Sequence, residues 1–298
     1  MGATATGKSA FAFELAVRTV AEIVSADSMA VYRGMDIGTA SPGPDERTRI
    51  RHHCVDVADP SQDYTVAHYQ ADARAALAAV DEAGAGAGAI LVGGTGLYVR
   101  SVVDDLEIPG IYPQIRDELG DDPDTAALHR RLTELDPVAA ARMEPSNRRR
   151  IVRALEVTLG AGRPFSSFGP GLDTHGATRF RLIGIARSRE EIDERIARRY
   201  EAQMDAGFLD EVKTLAARPE GLSRTARQAL GYRELLAHLA GEMTLAAALE
   251  EAVRRTRRFA RRQERWFRRD PRITWLDATG RNPQSLVDDL MGDSTPCR

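Results

Sequence analysis

The sequence predicts an α/β protein built on a parallel sheet, with a helical insertion in the middle of the chain. A glycine-rich loop at residues 2–9 is followed by a helical pattern, and two short apolar runs, 22–26 and 89–92, each end at polar or glycine residues before the next helix. Repeated alternation of strand, loop and helix is typical of parallel sheets. Strand signals fade between residues 107 and 177 and then return, which indicates an insertion.

The elements of the first third follow in order. A helix is predicted from Ser9 to Val20, a strand at 22–26 that ends at Asp27, and an alanine-rich helix at 66–83. The strand at 89–92 leads into Gly93-Gly94-Thr95-Gly96, and another helix follows. Because ligands of parallel α/β sheets bind at the carboxyl ends of the strands, Ser9, Asp27 and Thr95 are expected at one site.

The rest of the chain is predominantly helical. Helices are predicted within the insertion at 124–135, 137–143 and 149–159, before a Gly/Pro/Ser stretch at 160–176. A strand at 180–186 follows, then helices at 189–206, 208–217, 224–240 and 244–268 and a final strand at 273–276. We therefore divide the chain into a first core part (1–106), the insertion (107–177) and a second core part with an arginine-rich helix (178–298).

Composition limits the class of protein. Of the 298 residues, 43% are hydrophobic and 29% charged, as in globular proteins with a buried core. Cys54 and Cys297 are too far apart in sequence to suggest a metal or disulfide framework, which suits a reducing compartment. No apolar run reaches the length of a membrane span, about 18 residues, and no signal peptide precedes the loop. We expect a cytoplasmic protein with no membrane partner.

The loop itself carries a phosphate-binding pattern. Residues Gly2-Ala3-Thr4-Ala5-Thr6-Gly7-Lys8-Ser9 match G-x-x-x-x-G-K-[ST], in which backbone N–H groups surround phosphate oxygens. Lys8 supplies a positive charge and Ser9 offers a hydroxyl to Mg²⁺, while the following helix contributes its N-terminal dipole. These features predict a P-loop NTPase-like core that binds a diphosphate or a nucleotide. The strand that normally delivers such a loop is missing before Gly2.

Charge is distributed unevenly. Between Arg254 and Arg269 nine of 16 residues are arginines and one, Glu264, is acidic, although the net charge of the chain is −3. Arg254, Arg258, Arg261, Arg265 and Arg268 recur at helical spacing, so they form one cationic face that suits a nucleic-acid backbone. A second basic patch lies at Arg148, Arg149, Arg150 and Arg153. Solvated helix faces are the alternative in both places.

Two further features leave their roles open. Asp27, at a strand end near the loop, is a magnesium ligand, a general base or a turn cap. The adjacent His52 and His53 have divergent side chains and no second ligand cluster, which argues against zinc. Hydrogen bonding or lining of a substrate channel is the expected role of this pair.

Several segments together resemble tRNA dimethylallyltransferases, also called tRNA isopentenyltransferases. They are the loop at 2–9, DSMAVYRGMDIGTASP at 27–42, HHCVD at 52–56, GGTGLY at 93–98, RRIVRALEV at 149–157, ARQALGY at 226–232, and TRRFARRQ with WFR at 256–263 and 266–268. The resemblance spans about residues 2 to 277. The chain departs from the family pattern in the absent first strand, in Ala3 for Pro, in Ala30 for Gln, and in Ser41 for Lys.

The resemblance implies transfer of a dimethylallyl group from its diphosphate to N6 of the adenosine 3′-adjacent to the anticodon. It implies Asp27 as the base, Thr95 near the acceptor or a phosphate, and Lys8, Arg227, Thr4 and Mg²⁺ at the diphosphate. The expected partners are dimethylallyl diphosphate and a tRNA anticodon stem-loop, bound by a monomer. The expected tRNA contacts are Asp27, Ser28, Met29, Ala30, Thr95, Arg116, Arg149, Arg150, Ile151, Val152, Arg153, Arg258, Arg261 and Arg265.

Three other functions remain open on sequence alone. An adenylate isopentenyltransferase uses the same chemistry on free AMP or ATP but needs neither the insertion nor the arginine-rich helix. A small-molecule kinase would bind ATP at the same loop, although the segments at 27–42 and 257–263 argue against it. A non-catalytic RNA-binding protein would result if the absent strand disables the site.

Overall fold

A computed structural model describes residues 1–84 and 88–292 of the chain, so Cys297 lies outside the described residues. The chain forms two compact units. The first lies within residues 1–103 and 178–298, and the second comprises residues 104–177, close to the predicted limits of the insertion. Within the described residues, no helix is both long and apolar enough to cross a membrane.

A parallel three-stranded sheet forms the centre of the first unit. Strand β1 (Glu22–Ala26) lies between β2 (His52–His53) and β3 (Ala89–Gly93). The register places Ile23 opposite both His52 and Ile90. The parallel arrangement and the ends of β1 and β3 were predicted from the sequence, whereas the short β2 was not.

A second parallel pair completes the strands of this unit. Strand β4 (Ile183–Ala186) pairs with β5 (Thr274–Asp277), and β4 begins three residues later than the predicted 180–186 run. Met1 extends this ladder, because its amino group donates to the carbonyl of Ile183 (2.8 Å) and its carbonyl accepts from the amide of Ile185 (2.8 Å). This pattern is that of one parallel-ladder position.

The two ladders flank an apolar cavity. In the described part of the chain no strand pairing joins β3 to β4, and the sheets are separate. A cavity of about 590 Å³ has β3 on one side and β4 on the other, with Met1 in its wall. Its apolar lining includes Ile90, Val92, Leu182, Ile185, Phe11 and Leu15.

Helices surround the strands of the first unit. They are α1 (Lys8–Thr19), α2 (Pro44–Arg49), α3 (Val66–Ala83), α4 (Gly96–Val103), α9 (Arg189–Asp205), α10 (Phe208–Ala216), α11 (Arg224–Arg227), α12 (Tyr232–Leu239), α13 (Leu245–Phe267) and α14 (Pro283–Gly292). Side-chain caps start several of them, including those at Thr65, Ser188, Ser223 and Thr244. In α13 the buried residues recur every three or four positions, at Ala248, Ala252, Thr256, Ala260, Gln263 and Phe267, which is the period of a helix with one buried face.

The predicted helix at 224–240 is interrupted. It forms two helices, α11 and α12, because the chain turns at Gly231, whose φ is +84°. A side chain there would be strained at this φ, and its Cβ would lie 2.8 Å from Phe208. The sequence prediction of one continuous helix was therefore wrong.

The second unit is a helical bundle, as predicted. It contains α5 (Pro113–Asp121), α6 (Thr125–Leu135), α7 (Pro137–Ala141), α8 (Arg148–Ala161) and a short 3₁₀ helix (Phe165–Phe168). Its core consists of Leu119, Leu128, Leu132, Ala140, Ile151, Ala154 and Leu155.

Three helices were not predicted, and all begin at proline. They are α2, α5 and α14, which start at Pro44, Pro113 and Pro283. Proline lacks an N–H group, which the first position of a helix does not need, and its φ already fits the helix. These prolines are therefore helix starts rather than loop residues.

Candidate functional site

The glycine-rich loop adopts a tight turn that leads directly into α1. Gly7 has φ +92°, a left-handed conformation that favours glycine, and α1 begins at the next residue, Lys8. The Thr6 hydroxyl donates to the carbonyl of Ala3 (2.9 Å) and closes the turn. The N-terminus of α1 therefore points its unpaired amides and positive dipole end at the loop, which is an arrangement that attracts anions.

Lys8 is the cation of this loop. Burial lowers the pKa of its ammonium group below the usual value, and nearby Arg199 lowers it further, while Asp27 raises it. Burial and Arg199 thus disfavour the charged form of Lys8, and Asp27 favours it. A bound anion would favour the charged form further.

Asp27 and Thr95 follow neighbouring strands, as predicted. Oδ1 of Asp27 accepts from the amide of Met29 (2.9 Å) and, more weakly, from that of Ala30 (3.5 Å), so this carboxylate does cap a turn. Thr95 Oγ1 accepts from the amide of Ser28 (3.1 Å) and donates to its hydroxyl (3.2 Å). Among the described residues no hydrogen bond reaches Oδ2 of Asp27, so that oxygen can accept a proton from a ligand.

A cavity of about 260 Å³ connects the loop to Asp27. Its walls come from the loop, from α1, from the carboxyl ends of β1 and β3, from segment 39–42 and from α9. The polar and charged lining consists of Thr4, Lys8, Ser9, Ser25, Asp27, Thr39, Ser41, Glu46, His52, Arg195 and Arg199. Of the three residues expected at one site, Ser9 and Asp27 line this cavity together with Lys8, whereas Thr95 is not among its lining residues.

Three arginines that were not predicted as site residues contact the loop. Arg187 follows β4, and Arg195 and Arg199 are one turn apart on α9. Their side chains donate to the carbonyls of Thr6 (3.2 Å, from Arg187 Nε) and Ala5 (2.8 Å, from Arg195 Nε), and to the hydroxyl of Thr4 (2.9 Å, from Arg199 Nη1). Burial lowers the pKa of both Arg195 and Arg199. The only signal in the sequence is their four-residue spacing, which is common on solvated helices.

Arg227 does not lie where the resemblance implied. It is exposed on the short helix α11 and is not among the residues that line the cavity of the loop. In the structure Arg195 and Arg199 occupy the cationic wall that the sequence analysis assigned to Arg227.

Residues 28–30, predicted to contact RNA, form the turn after β1. Ser28 and Met29 are partly buried, and Ala30 is 5% exposed. The two histidines have structural partners: Nε2 of His53 is 2.6 Å from Oε2 of Glu22, and Nδ1 of His52 is 2.8 Å from the carbonyl of Ile50. His52 also lines the cavity, and burial lowers its pKa. Hydrogen bonding and cavity lining, as predicted, account for this pair.

The arginine-rich helix α13 has a cationic groove along α9. A cavity of about 550 Å³ is lined by Arg189, Arg257, Arg258, Arg261, Arg262 and Arg265, with Asp193 and Glu264 as its acids. Arg258, Arg261 and Arg265 of the predicted cationic face line this groove. The other two arginines of that face do not: Arg254 pairs with Glu251, and Arg268 lies over the ring of Trp275 (4.4 Å).

The basic residues of the second unit divide into two groups. Arg116 and Arg153 both pair with the fully buried Glu156, which also accepts from the amide of Tyr112. Although burial raises the pKa of Glu156, hydrogen bonds from Arg116 and Tyr112 and the charge of Arg153 hold it below the usual value. Arg149 and Arg150 are exposed, as a surface for RNA requires.

Two residues of the predicted RNA surface are core residues instead. The side chain of Ile151 is fully buried in the core of the second unit, and Val152 packs against that core. Their helix therefore presents Arg149 and Arg150 outward and uses the next two positions for packing.

Few protein side chains at this site could bind a magnesium ion. The described residues contain no cluster of three or more His, Cys, Asp or Glu side chains that would hold a metal ion. The hydroxyl of Ser9 and the carboxylate of Asp27 nevertheless line the same cavity, and both are the oxygen ligands that Mg²⁺ prefers. A Mg²⁺ ion held by phosphate oxygens and water needs only one or two such protein ligands, so the residues fit it.

The fold and site together define a parallel α/β protein with an anion site at a helix N-terminus and a separate cationic groove. The chain belongs to the IPP transferase family, whose sequence profile matches residues 30–270. It is 50% identical to a tRNA dimethylallyltransferase of Streptomyces avermitilis over 93% of this chain and 88% of that protein. It is 44% identical to one of Geobacter metallireducens, with 98% and 95% covered.

Solved structures agree with this assignment. A tRNA isopentenylpyrophosphate transferase from Bacillus halodurans is 35% identical, with a TM-score of 0.70 over 98% of this chain and 94% of that one. A eukaryotic dimethylallyltransferase captured acting on tRNA has a TM-score of 0.78 at 25% identity, over 93% of this chain and 72% of that one. The predicted family is therefore confirmed.

Proposed function

We infer that the chain is a tRNA dimethylallyltransferase, which moves the dimethylallyl group of dimethylallyl diphosphate to N6 of the adenosine 3′-adjacent to the anticodon. The observation that carries this inference is the position of Asp27 in the same cavity as Lys8. One end of that cavity attracts a diphosphate, and the other offers a carboxylate oxygen to an incoming amine.

The diphosphate end combines backbone amides with three cationic side chains. The amides of the loop and of the first turn of α1 surround one side, and Lys8, Arg195 and Arg199 supply charges on the others. When the bond between the allylic carbon and the diphosphate oxygen breaks, negative charge grows on that oxygen. Groups that are already oriented toward the charge stabilise the transition state more than the ground state. Mg²⁺, held through Ser9 and the phosphate oxygens, would add to this stabilisation.

The acceptor end removes a proton. Adenine N6 is a weak nucleophile, and forming the N6–carbon bond leaves an extra proton on the nitrogen. Asp27 can take that proton through Oδ2, while Oδ1 is held by the amide of Met29. We propose that Thr95, whose hydroxyl is held by Ser28, orients the acceptor base, which is the role that the resemblance implies.

The nucleic-acid end lies on α13 and on the second unit. Six arginines line the α9–α13 groove, which is more positive charge than binding of free AMP or ATP requires, and an RNA backbone would supply a matching row of phosphates. In the second unit, the exposed Arg149 and Arg150 are candidate RNA contacts of their own. The target adenine is stacked in its loop and must be flipped out, and contacts to the RNA backbone offset the free energy that this costs.

Finer parts of the proposal concern the core and the assembly. We propose a P-loop NTPase-like core. In such a core a strand leads into the loop, and here the cavity between β3 and β4 is the position that this strand would occupy. The ladder position of Met1 beside Ile183 and Ile185 supports this placement.

We also propose that a monomer suffices, since the loop, Asp27 and the α13 groove all come from one chain.

One assay tests the function. The protein is incubated with Mg²⁺ and dimethylallyl diphosphate, and with tRNA, AMP or ATP in separate arms, and products are detected by mass. A gain of one dimethylallyl group on tRNA supports the proposal. A gain on AMP or ATP alone indicates an adenylate isopentenyltransferase, and phosphate transfer from ATP indicates a kinase. Binding of tRNA without any product indicates an RNA-binding protein.

A further inference from the structure

Gln263 on α13 contacts both loops of the site. Its side chain is buried, with the residue 7% exposed. Oε1 accepts from the amide of Thr4 (2.8 Å), and Nε2 donates to the carbonyl of Gly94 (2.8 Å). A single side-chain amide therefore joins the loop that precedes Lys8 to the turn that carries Thr95.

The glycines of that turn are required by α13. A Cβ at Gly94 would lie 2.3 Å from Nε2 of Gln263, and a Cβ at Gly96 would lie 2.1 Å from Nε1 of Trp266. A Cβ at Gly94 would displace the side-chain amide of Gln263 from its present position, and a Cβ at Gly96 would collide with the indole ring of Trp266. Thr95 is thus held between two glycines that lie close to α13, Gly94 at Gln263 and Gly96 at Trp266. These two side chains of α13 are about one helical turn apart.

The same side chain acts at the diphosphate end. Thr4 is fixed at its amide by Gln263 and at its hydroxyl by Arg199 (2.9 Å). Arg261 and Arg262, which line the cationic groove, immediately precede Gln263 on α13. One rigid helix thereby connects the groove proposed to hold RNA with both loops of the transfer site.

We propose that Gln263 is a positioning residue, which keeps the phosphate loop and the Thr95 turn in the register that dimethylallyl transfer requires. The proposal rests on the function inferred above. Transfer needs the allylic carbon and N6 within about 3–3.5 Å, and a misplacement of about 1 Å costs about a hundredfold in rate. Gln263 itself touches neither reactant, so its loss is expected to affect the chemical step more than binding.

The test compares two glutamine-to-methionine variants, which keep side-chain length but lose the amide. Gln263→Met removes the bridge. Gln70→Met is the matched control, because Gln70 is also buried (6% exposed) and donates to a backbone carbonyl, that of Ser101 (2.6 Å), away from the cavity. Steady-state kinetics with dimethylallyl diphosphate and tRNA are measured for both, together with melting temperatures and amide hydrogen exchange.

We expect both variants to fold and to melt at similarly lowered temperatures. Gln263→Met should lose about tenfold to a hundredfold in kcat, with KM for either substrate changed less than threefold. Exchange should increase in residues 2–9 and 93–97 of this variant only. Wild-type kcat in Gln263→Met, or an equal loss in Gln70→Met, overturns the proposal, as does unchanged exchange in those two segments. Absence of transfer by the wild-type protein would instead refute the proposed function, and exchange would still decide the role of Gln263.

Discussion

Arg199 Nη1 donates a hydrogen bond of 2.9 Å to Oγ1 of Thr4, a residue 195 positions earlier in the chain. Arg199 Nε is buried and has no hydrogen-bond partner among the described residues. A buried guanidinium group with an unused donor is unfavourable unless a ligand satisfies it. A diphosphate in the cavity would accept from this group and from the amides of the loop.

The first prediction concerns Arg199. Arg199→Ala should raise KM for dimethylallyl diphosphate and lower kcat, because a charge at the departing diphosphate is lost; we expect about 10²-fold in kcat/KM. Arg198→Ala is the matched control, since Arg198 is the exposed neighbour and forms a long ion pair with Glu194 (4.0 Å). It removes the same net charge but should leave the kinetics unchanged. Equal effects of the two variants would show that net charge alone matters.

The second prediction concerns Lys8, one of only two lysines in the chain. Lys8→Ala should lower turnover about 10²–10³-fold, with tRNA affinity retained. The other lysine, Lys213, is on the surface and pairs with Asp210 (2.8 Å), so Lys213→Ala is the control and should behave as wild type. Normal prenylation by Lys8→Ala would show that the loop is not the diphosphate site.

The third prediction is a pH dependence at the same residue. Burial lowers the pKa of Lys8 from 10.5, so its ammonium group loses its proton at a lower pH than an exposed lysine does. Diphosphate affinity should therefore fall as pH rises through that pKa. Lys8→Arg keeps its charge throughout, so its affinity should show no such fall. Calorimetric titration with inorganic diphosphate measures both, and parallel pH profiles would contradict the assignment.

The fourth prediction concerns Asp27. Asp27→Asn retains the shape and the hydrogen bond to the amide of Met29 but cannot accept the N6 proton. Turnover should fall about 10²–10⁴-fold while tRNA affinity stays near wild type, as measured by single-turnover kinetics and filter binding. Loss of tRNA binding in a folded Asp27→Asn protein would make Asp27 a binding residue instead.

Much of the fold followed from local patterns, but the wall of the site did not. The ends of β1 and β3 were predicted because a short apolar run stops at Asp27 and at Gly93, which is information contained in a few consecutive residues. Arg195 and Arg199 reach the loop only because α9 packs near it, and a spacing of four residues fits a solvated helix equally well. Tertiary contacts of this kind are not encoded in any short segment.

The second unit gives a similar example. Arg116 and Arg153 were both predicted as RNA contacts, and both form ion pairs with Glu156. Glu156 lies within the helix predicted at 149–159, and no nearby residue in the sequence identifies Arg116 as its partner. The sequence does not distinguish an arginine that pairs with a buried acid from one that binds phosphate, because both are simply basic residues on a predicted helix.

The last prediction concerns the RNA surface, about which the phosphate-loop motif gives no information. Changing Arg258, Arg261 and Arg265 to Glu reverses three charges in the α9–α13 groove. Each phosphate contact that is lost reduces the salt dependence of binding, so tRNA affinity should fall strongly and the slope of log affinity against log salt should become shallower by up to about three.

A charge-matched control separates local from global effects. Arg198, Arg224 and Arg233 are exposed residues of the first unit outside the groove, and their replacement by Glu changes net charge equally. This control should lose little tRNA affinity. Both triple variants should keep inorganic diphosphate affinity, because the contacts of the loop come from Lys8, Arg195 and Arg199. Unchanged tRNA affinity and salt slope in the groove variant would make α13 a solvated face, and an adenylate acceptor would then explain the site better than tRNA.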